Sequence, residues 1–112
     1  MRSLIISLSI IGISFSKTNP TKCVATWYNM HGAKTASGQR MHKDSLTAAY
    51  NYSPFGTLLE VTNVSNKEVC TVKVTDRMGI KTPNRIDLSY AAFGSIANHG
   101  QGKIEVTIKV IE

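Results

Sequence analysis

A small closed all-β barrel with one helix is the fold class the sequence predicts, and three observations predict it. Short runs alternate apolar and polar residues, as in Cys70-x-Val72-x-Val74 and Ile104-x-Val106-x-Ile108-x-Val110. A period of two marks a strand with one buried face. Turn signals separate these runs, and only one stretch has helical character. In a chain of 112 residues, closing the sheet on itself hides the edges that would otherwise pair with other chains.

The chain opens with a stretch that stands apart from the barrel. Met1-Arg2 is a positive start, Leu4 to Phe15 is apolar, and Ser14-Phe15-Ser16 is a small-x-small site. This reads as a signal peptide over residues 1–16, too short to span a bilayer, which takes about 20 residues. The remaining domain, 17–112, is expected to be a soluble monomer with no stable membrane anchor. It would work in the periplasmic or extracellular cell-wall space.

Its first strand is expected at Cys23 to Tyr28. The turn Ser53-Pro54-Phe55-Gly56 leads into a second run, Thr57 to Thr62. A hairpin loop at Val64-Ser65-Asn66-Lys67 joins that run to Val69 to Thr75. Asn63-Val64-Ser65 matches a glycosylation sequon, yet reads more simply as part of this turn. Ser89 is the expected N-cap of a helix from Tyr90 to Asn98 that Gly100 stops. Lys103 to Ile111 is the last strand.

Cys23 and Cys70 are the only cysteines. In an exported chain they are most simply one disulfide, and closing so long a loop would contribute roughly 4 kcal/mol on the chain-entropy model. Lipid attachment at Cys23 is the competing reading. Pro20-Thr21-Lys22 is a poor run before a lipidated cysteine, and the strand pattern starts at once. No Cys-x-x-Cys or paired-histidine spacing supports zinc, and no metal or cofactor is expected. The formal charge is +6; without Arg2 it is +5, which favours anionic partners. Export argues against nucleic acid and for wall polymers bearing carboxylates or phosphates.

Two stretches carry candidate chemistry. In "ATWYNMHGAKTASGQRMHKDSLTAAY", Trp27 and Tyr28 would suit stacking on a sugar face, or else core packing, while His31 and His42 are either loop residues or acid–base groups. In "VTDRMGIKTPNRIDLS", Asp76 ends one apolar run and Asp87 sits in the next. Asp76 could cap a turn through its side-chain oxygens. Asp87 could favour a helix start. Spacing alone does not separate capping from catalysis.

Six segments in order, "ATWY", "TASG", "LTAAY", "PFGTLLEVTN", "VTDR" and "RIDLSYAAF", resemble the rare lipoprotein A-like domain from about Val24 to Ile111. The resemblance implies a six-stranded double-psi β-barrel with one or two short helices. It also implies an endolytic peptidoglycan transglycosylase acting on glycan strands. Such an enzyme needs one carboxylic acid to protonate the glycosidic oxygen, because the sugar's own 6-hydroxyl closes on the anomeric carbon; ordinary glycosidases use two. Here Asp76 would be the acid/base and Asp87 its electrostatic neighbour facing the groove. Trp27, Tyr28, Gln39, His42, Tyr50 and Arg77 would contact substrate.

The chain departs from the family pattern at three of these positions. Gln39 follows "TASG" where glutamate is usual, His42 stands where aspartate is frequent, and Tyr50 ends "LTAAY" where histidine is usual. An amide cannot donate a proton as a carboxylic acid does. A non-catalytic or expansin-like glycan-binding barrel therefore stands beside the enzyme reading. A secreted inhibitor or partner-binding barrel is a third reading, with small size as its sole support.

Overall fold

The computed structural model describes residues 19–79 and 83–112; the leader expected at 1–16 lies outside them. Six strands close into one barrel: β1 (Thr21–Tyr28), β2 (Thr47–Ala49), β3 (Leu58–Asn63), β4 (Val69–Asp76), β5 (Arg85–Ser89) and β6 (Ile104–Val110). Their order around the barrel is β1-β5-β2-β4-β3-β6, returning to β1. β1 with β5 and β2 with β4 are parallel pairs, and the remaining four pairs are antiparallel. This mixed six-stranded barrel, with a single α-helix among the described residues, is the double-psi architecture that the resemblance implied.

The alternation dictates which side chains fill it. On β3 every second residue is buried, and on β4 Cys70, Val72 and Val74 point inward. Leu59, Val61, Ile86, Leu88 and Val106 are fully buried. Each such side chain contributes about 1.5–3 kcal/mol relative to exposure. Two strands escaped the pattern reading. β2 is only Thr47-Ala48-Ala49, and alanine has little strand preference. In β5 the apolar positions are only Ile86 and Leu88, so its polar residues read as the approach to a helix.

That helix, α1, spans Tyr90–Ile96, shorter than expected. Ser89 is its N-cap, with extended backbone and a side chain that accepts from Ala92 N–H at 3.2 Å. The C-terminal end differs from the expectation because Asn98 starts a new element instead of finishing the old one. Its side chain accepts from Gly100 N–H at 2.8 Å, while Gln101 accepts from Asn98 N–H at 3.2 Å, closing a capping box around the 3-10 turn His99–Gln101. Gly102, at φ 71, ends the turn in backbone that favours glycine. The sequon asparagine is structural: buried Asn63 donates from Nδ2 to Ile96 O at 2.7 Å and accepts from Ser65 N–H at 2.9 Å.

The expected disulfide is not formed. Cys23 and Cys70 are both buried free thiols. In the barrel order, β6 and β3 lie between their strands on one side, and β5 and β2 on the other. Their neighbours differ too: Cys70 hydrogen-bonds Ser95 of α1, whereas Cys23 lies within electrostatic reach of Tyr50. Burial pushes the Cys23 thiol up to about 11, so it stays a protonated, inert core group. Protein denatured without reductant should take up two equivalents of a thiol reagent, and native protein far less. Uptake of none after denaturation would establish the bridge instead.

Candidate active site

β2 lies between β4 and β5, and its last residue pairs with a carboxylate on each side. Ala49 is in register with Asp76 of β4 and with Asp87 of β5. The register shifts between Ala48 and Ala49, where Ala48 pairs with Val74 and Ala49 with Asp76. That irregularity brings Asp76 level with Asp87. Strands spaced about 4.8 Å apart place the two aspartate Cα atoms roughly 10 Å apart, near enough for opposed carboxyls to share a ligand. An alanine between them leaves the floor low. A cleft of about 270 Å³ opens there, lined by both aspartates, Ala49, Tyr28 and Arg77.

The two carboxyls have different surroundings. Asp87 sits opposite Thr26 in the β1–β5 register, and its Oδ1 accepts from Thr26 Oγ1 at 2.8 Å. Burial raises the Asp87 pKa above the ordinary aspartate value. The Thr26 hydrogen bond and the Arg85 charge oppose that rise, and the negative charge of Asp76 adds to it. Asp76 is instead an anchor: its Oδ1 accepts from Ala36 N–H at 3.0 Å and from Arg77 N–H at 2.9 Å. With Ser37 N–H donating to Thr75 O at 3.2 Å, it fastens the "TASG" turn to the end of β4.

Tyr28 enters the cleft from the end of β1, and its hydroxyl meets Thr47 Oγ1 at 2.8 Å. Burial raises its pKa, and the two aspartates add to the effect. Arg77 is held from behind. Its Nη1 donates to Tyr50 O at 2.8 Å, and its guanidinium lies 4.0 Å from the Phe55 ring centroid.

Tyr28, Asp76, Arg77 and Asp87 therefore share one cleft, while the other four expected contact residues lie elsewhere. Trp27 packs against the core beneath α1, with its ring edge-on to Tyr90 at 5.3 Å and its Nε1 donating to His99 O at 3.1 Å. Gln39 is exposed on the "TASG" hairpin, where its carbonyl accepts from Thr35 N–H at 2.8 Å. His42 is exposed, with its ring edge-on to His31 at 4.6 Å and its Nδ1 accepting from Asp44 N–H. Tyr50 is buried and lines a different concavity.

Sequence reasoning missed Thr26 and the three methionines, Met30, Met41 and Met78, that complete the cleft wall. Period-two alternation was the signal that could have found Thr26, which shares a strand face with Tyr28. Nothing in the sequence marked the methionines. Their flexible, polarisable side chains make an adaptable apolar rim. Among the described residues no group of three His, Cys, Asp or Glu side chains is placed to hold a metal ion.

A chemically asymmetric carboxylate pair in an open cleft is suited to proton transfer to a bound ligand. A family model described as lytic transglycolase matches residues 21–108. Across 89 residues the chain is 44% identical to "Probable endolytic peptidoglycan transglycosylase RlpA" of Aquifex aeolicus, covering 78% of this chain. The chain spans 39% of that relative's length, and 28% and 33% of two others of the same kind. Among solved structures, a Streptomyces papain inhibitor superposes with a TM-score of 0.72 at 23% identity, covering 84% of this chain and 96% of the inhibitor. A Clavibacter michiganensis expansin variant in complex with cellohexaose gives 0.69 at 22% identity, covering 84% of this chain and 51% of the expansin. At such identities these two likenesses speak for the fold alone.

Proposed function

This chain belongs to the lytic transglycolase family, and from that premise we propose that it is an exported wall enzyme. It would cleave peptidoglycan glycan strands by forming 1,6-anhydro ends, with Asp87 as the acid. The observation that carries this reading is the pairing of Asp76 and Asp87 across Ala49 over one open cleft. Asp87 is the carboxyl whose proton is held by burial and by a like charge. This exchanges the roles expected from the resemblance, in which Asp76 was the acid. Asp76, bonded to two backbone N–H groups, holds the hairpin and supplies the neighbouring negative charge.

The chemistry balances with one carboxyl group. Asp87 gives its proton to the glycosidic oxygen as that oxygen leaves the anomeric carbon. The 6-hydroxyl of the same sugar closes on that carbon, and its proton returns to the Asp87 carboxylate. Negative charge on Asp76 favours the positive charge that develops at the anomeric centre. Tyr28 and Arg77 offer hydrogen-bond donors beside the reacting sugar. Mass spectrometry of purified glycan strands after incubation tests the reading directly, and absence of new 1,6-anhydro ends would sink it.

The Thr26 hydrogen bond sets where activity fails as pH rises. An acid must begin protonated, so the rate falls as pH rises through the Asp87 pKa. Thr26 lowers that pKa; Thr26→Val removes the donor at nearly constant shape and should move the alkaline limb of kcat/KM to higher pH. An unmoved limb would detach Thr26 from the acid.

The departure at Gln39 from the pattern that the resemblance implies leaves a second reading, in which the barrel binds glycan without cutting it, although Gln39 lies outside the cleft. Its amide stands where related enzymes usually carry glutamate. Retention of strands by wild-type protein with no anhydro ends would decide for the binder.

A further inference from the structure

A second concavity of about 430 Å³ is larger than the carboxylate cleft and has a different character. Among the described residues, none of its lining side chains is charged. Tyr50 and Tyr52 meet in it edge-on at 5.6 Å, and Asn19, Thr21, Ser53 and Asn84 supply amides and hydroxyls around them. Tyr50 is buried, whereas Tyr52 is 54% exposed.

Consecutive residues line the two concavities. Ala49 floors the carboxylate cleft, and Tyr50, the next residue, walls the second concavity. Tyr50 N–H donates to Asp76 O at 3.0 Å, and Tyr50 O accepts from Arg77 Nη1 at 2.8 Å. Met78 and Gly79 line the first, and Pro83 and Asn84 line the second.

We propose that the concavity around Tyr52 is a second glycan subsite, which takes an uncharged sugar ring of the same strand that reaches Asp87. An aromatic ring offers its face to the apolar C–H face of a sugar. Neutral amides and hydroxyls match the donors and acceptors of a polyhydroxylated, N-acetylated ring without the desolvation cost of charges. The volume lies in the range of small-ligand sites, about 300–1,000 Å³. The inference rests on the glycan reading above, but not on catalysis.

Calorimetry with chitohexaose, a neutral N-acetylglucosamine hexamer, tests it on the full domain. Tyr52→Ala should weaken chitohexaose binding about fivefold to tenfold, the loss of one stacking contact, and raise KM for glycan strands by a similar factor. Tyr52→Phe, which keeps the ring, should bind as wild type does. The exposure of Tyr52 means both variants should melt with the wild type. Absence of chitohexaose binding by wild type overturns the proposal. So does unchanged affinity in Tyr52→Ala, or an equal loss in Tyr52→Phe. A failure of the enzymatic reading looks different: no protein releases anhydro ends, while chitohexaose affinity still depends on Tyr52.

Discussion

Asp87→Asn should lower the release of 1,6-anhydro ends by about 10² to 10⁴, the usual contribution of a positioned general acid. The substitution keeps the shape of the side chain, and the amide oxygen can still accept from Thr26 Oγ1. Binding of strands should therefore survive while cleavage is lost. The same variant should melt at a higher temperature than wild type once pH is above the Asp87 pKa. The sign follows from linkage: the folded-state pKa of Asp87 is raised by burial and by Asp76, so the folded protein holds this proton more tightly than the unfolded chain. That stabilisation is full below the ordinary aspartate range and is lost as pH rises through the raised value. Above that raised value wild type carries a half-buried charge that the amide variant lacks, and on acidification the difference in melting temperature should shrink. Such a pattern marks a carboxylate kept for function at the expense of stability. Wild-type rates in Asp87→Asn would remove Asp87 from the acid role, and a parallel loss in Asp76→Asn alone would restore the roles the resemblance implied.

Much of the barrel was legible because alternation in β4 and β6 specifies which side chains turn inward. β2 and β5 were not, since three residues ending in two alanines carry no period and Arg85 and Asp87 mask the apolar pair between them. The same two strands hold the site. Asp76 and Asp87 were recognisable as a pair of carboxylates at the ends of apolar runs, but their juxtaposition depends on Ala49, which comes from an earlier part of the chain. Topology, not spacing, brings the three together. The contrast between Trp27 and Tyr28 was available from the start, because neighbours on a strand point to opposite faces and cannot both line one groove. Gln39 and His42 were placed by resemblance, which matches segments without stating where a side chain points. For Cys23 and Cys70, counting thiols could not reveal that each is buried against different neighbours.

Trp27→Ala should destabilise the domain by about 3 kcal/mol, at the lower end of the cost of truncating a buried aromatic because the ring is only partly covered. Against a total of about 5–15 kcal/mol for a domain of this kind, that is a large fraction. The loss has a specific origin. The indole joins three elements: its Nε1 donates to His99 O at 3.1 Å, and its ring packs edge-on against Tyr90 at 5.3 Å and His99 at 4.9 Å. His99 in turn stacks on Tyr90 at 3.7 Å, and a methyl group added at Gly94 would come within 2.5 Å of its ring. Removing the indole thus loosens α1, which begins at Tyr90 directly after β5, the strand that carries Asp87. The domain should unfold at lower denaturant concentration, and cleavage should fall in step with the folded fraction. Trp27→Phe separates this role from glycan contact: it should recover most of the stability and bind strands as wild type does, because the ring faces the core and not the cleft. If Trp27→Phe melts near wild type yet loses strand affinity severalfold, the indole contacts glycan after all, and the groove extends past Tyr28 to the face beneath α1.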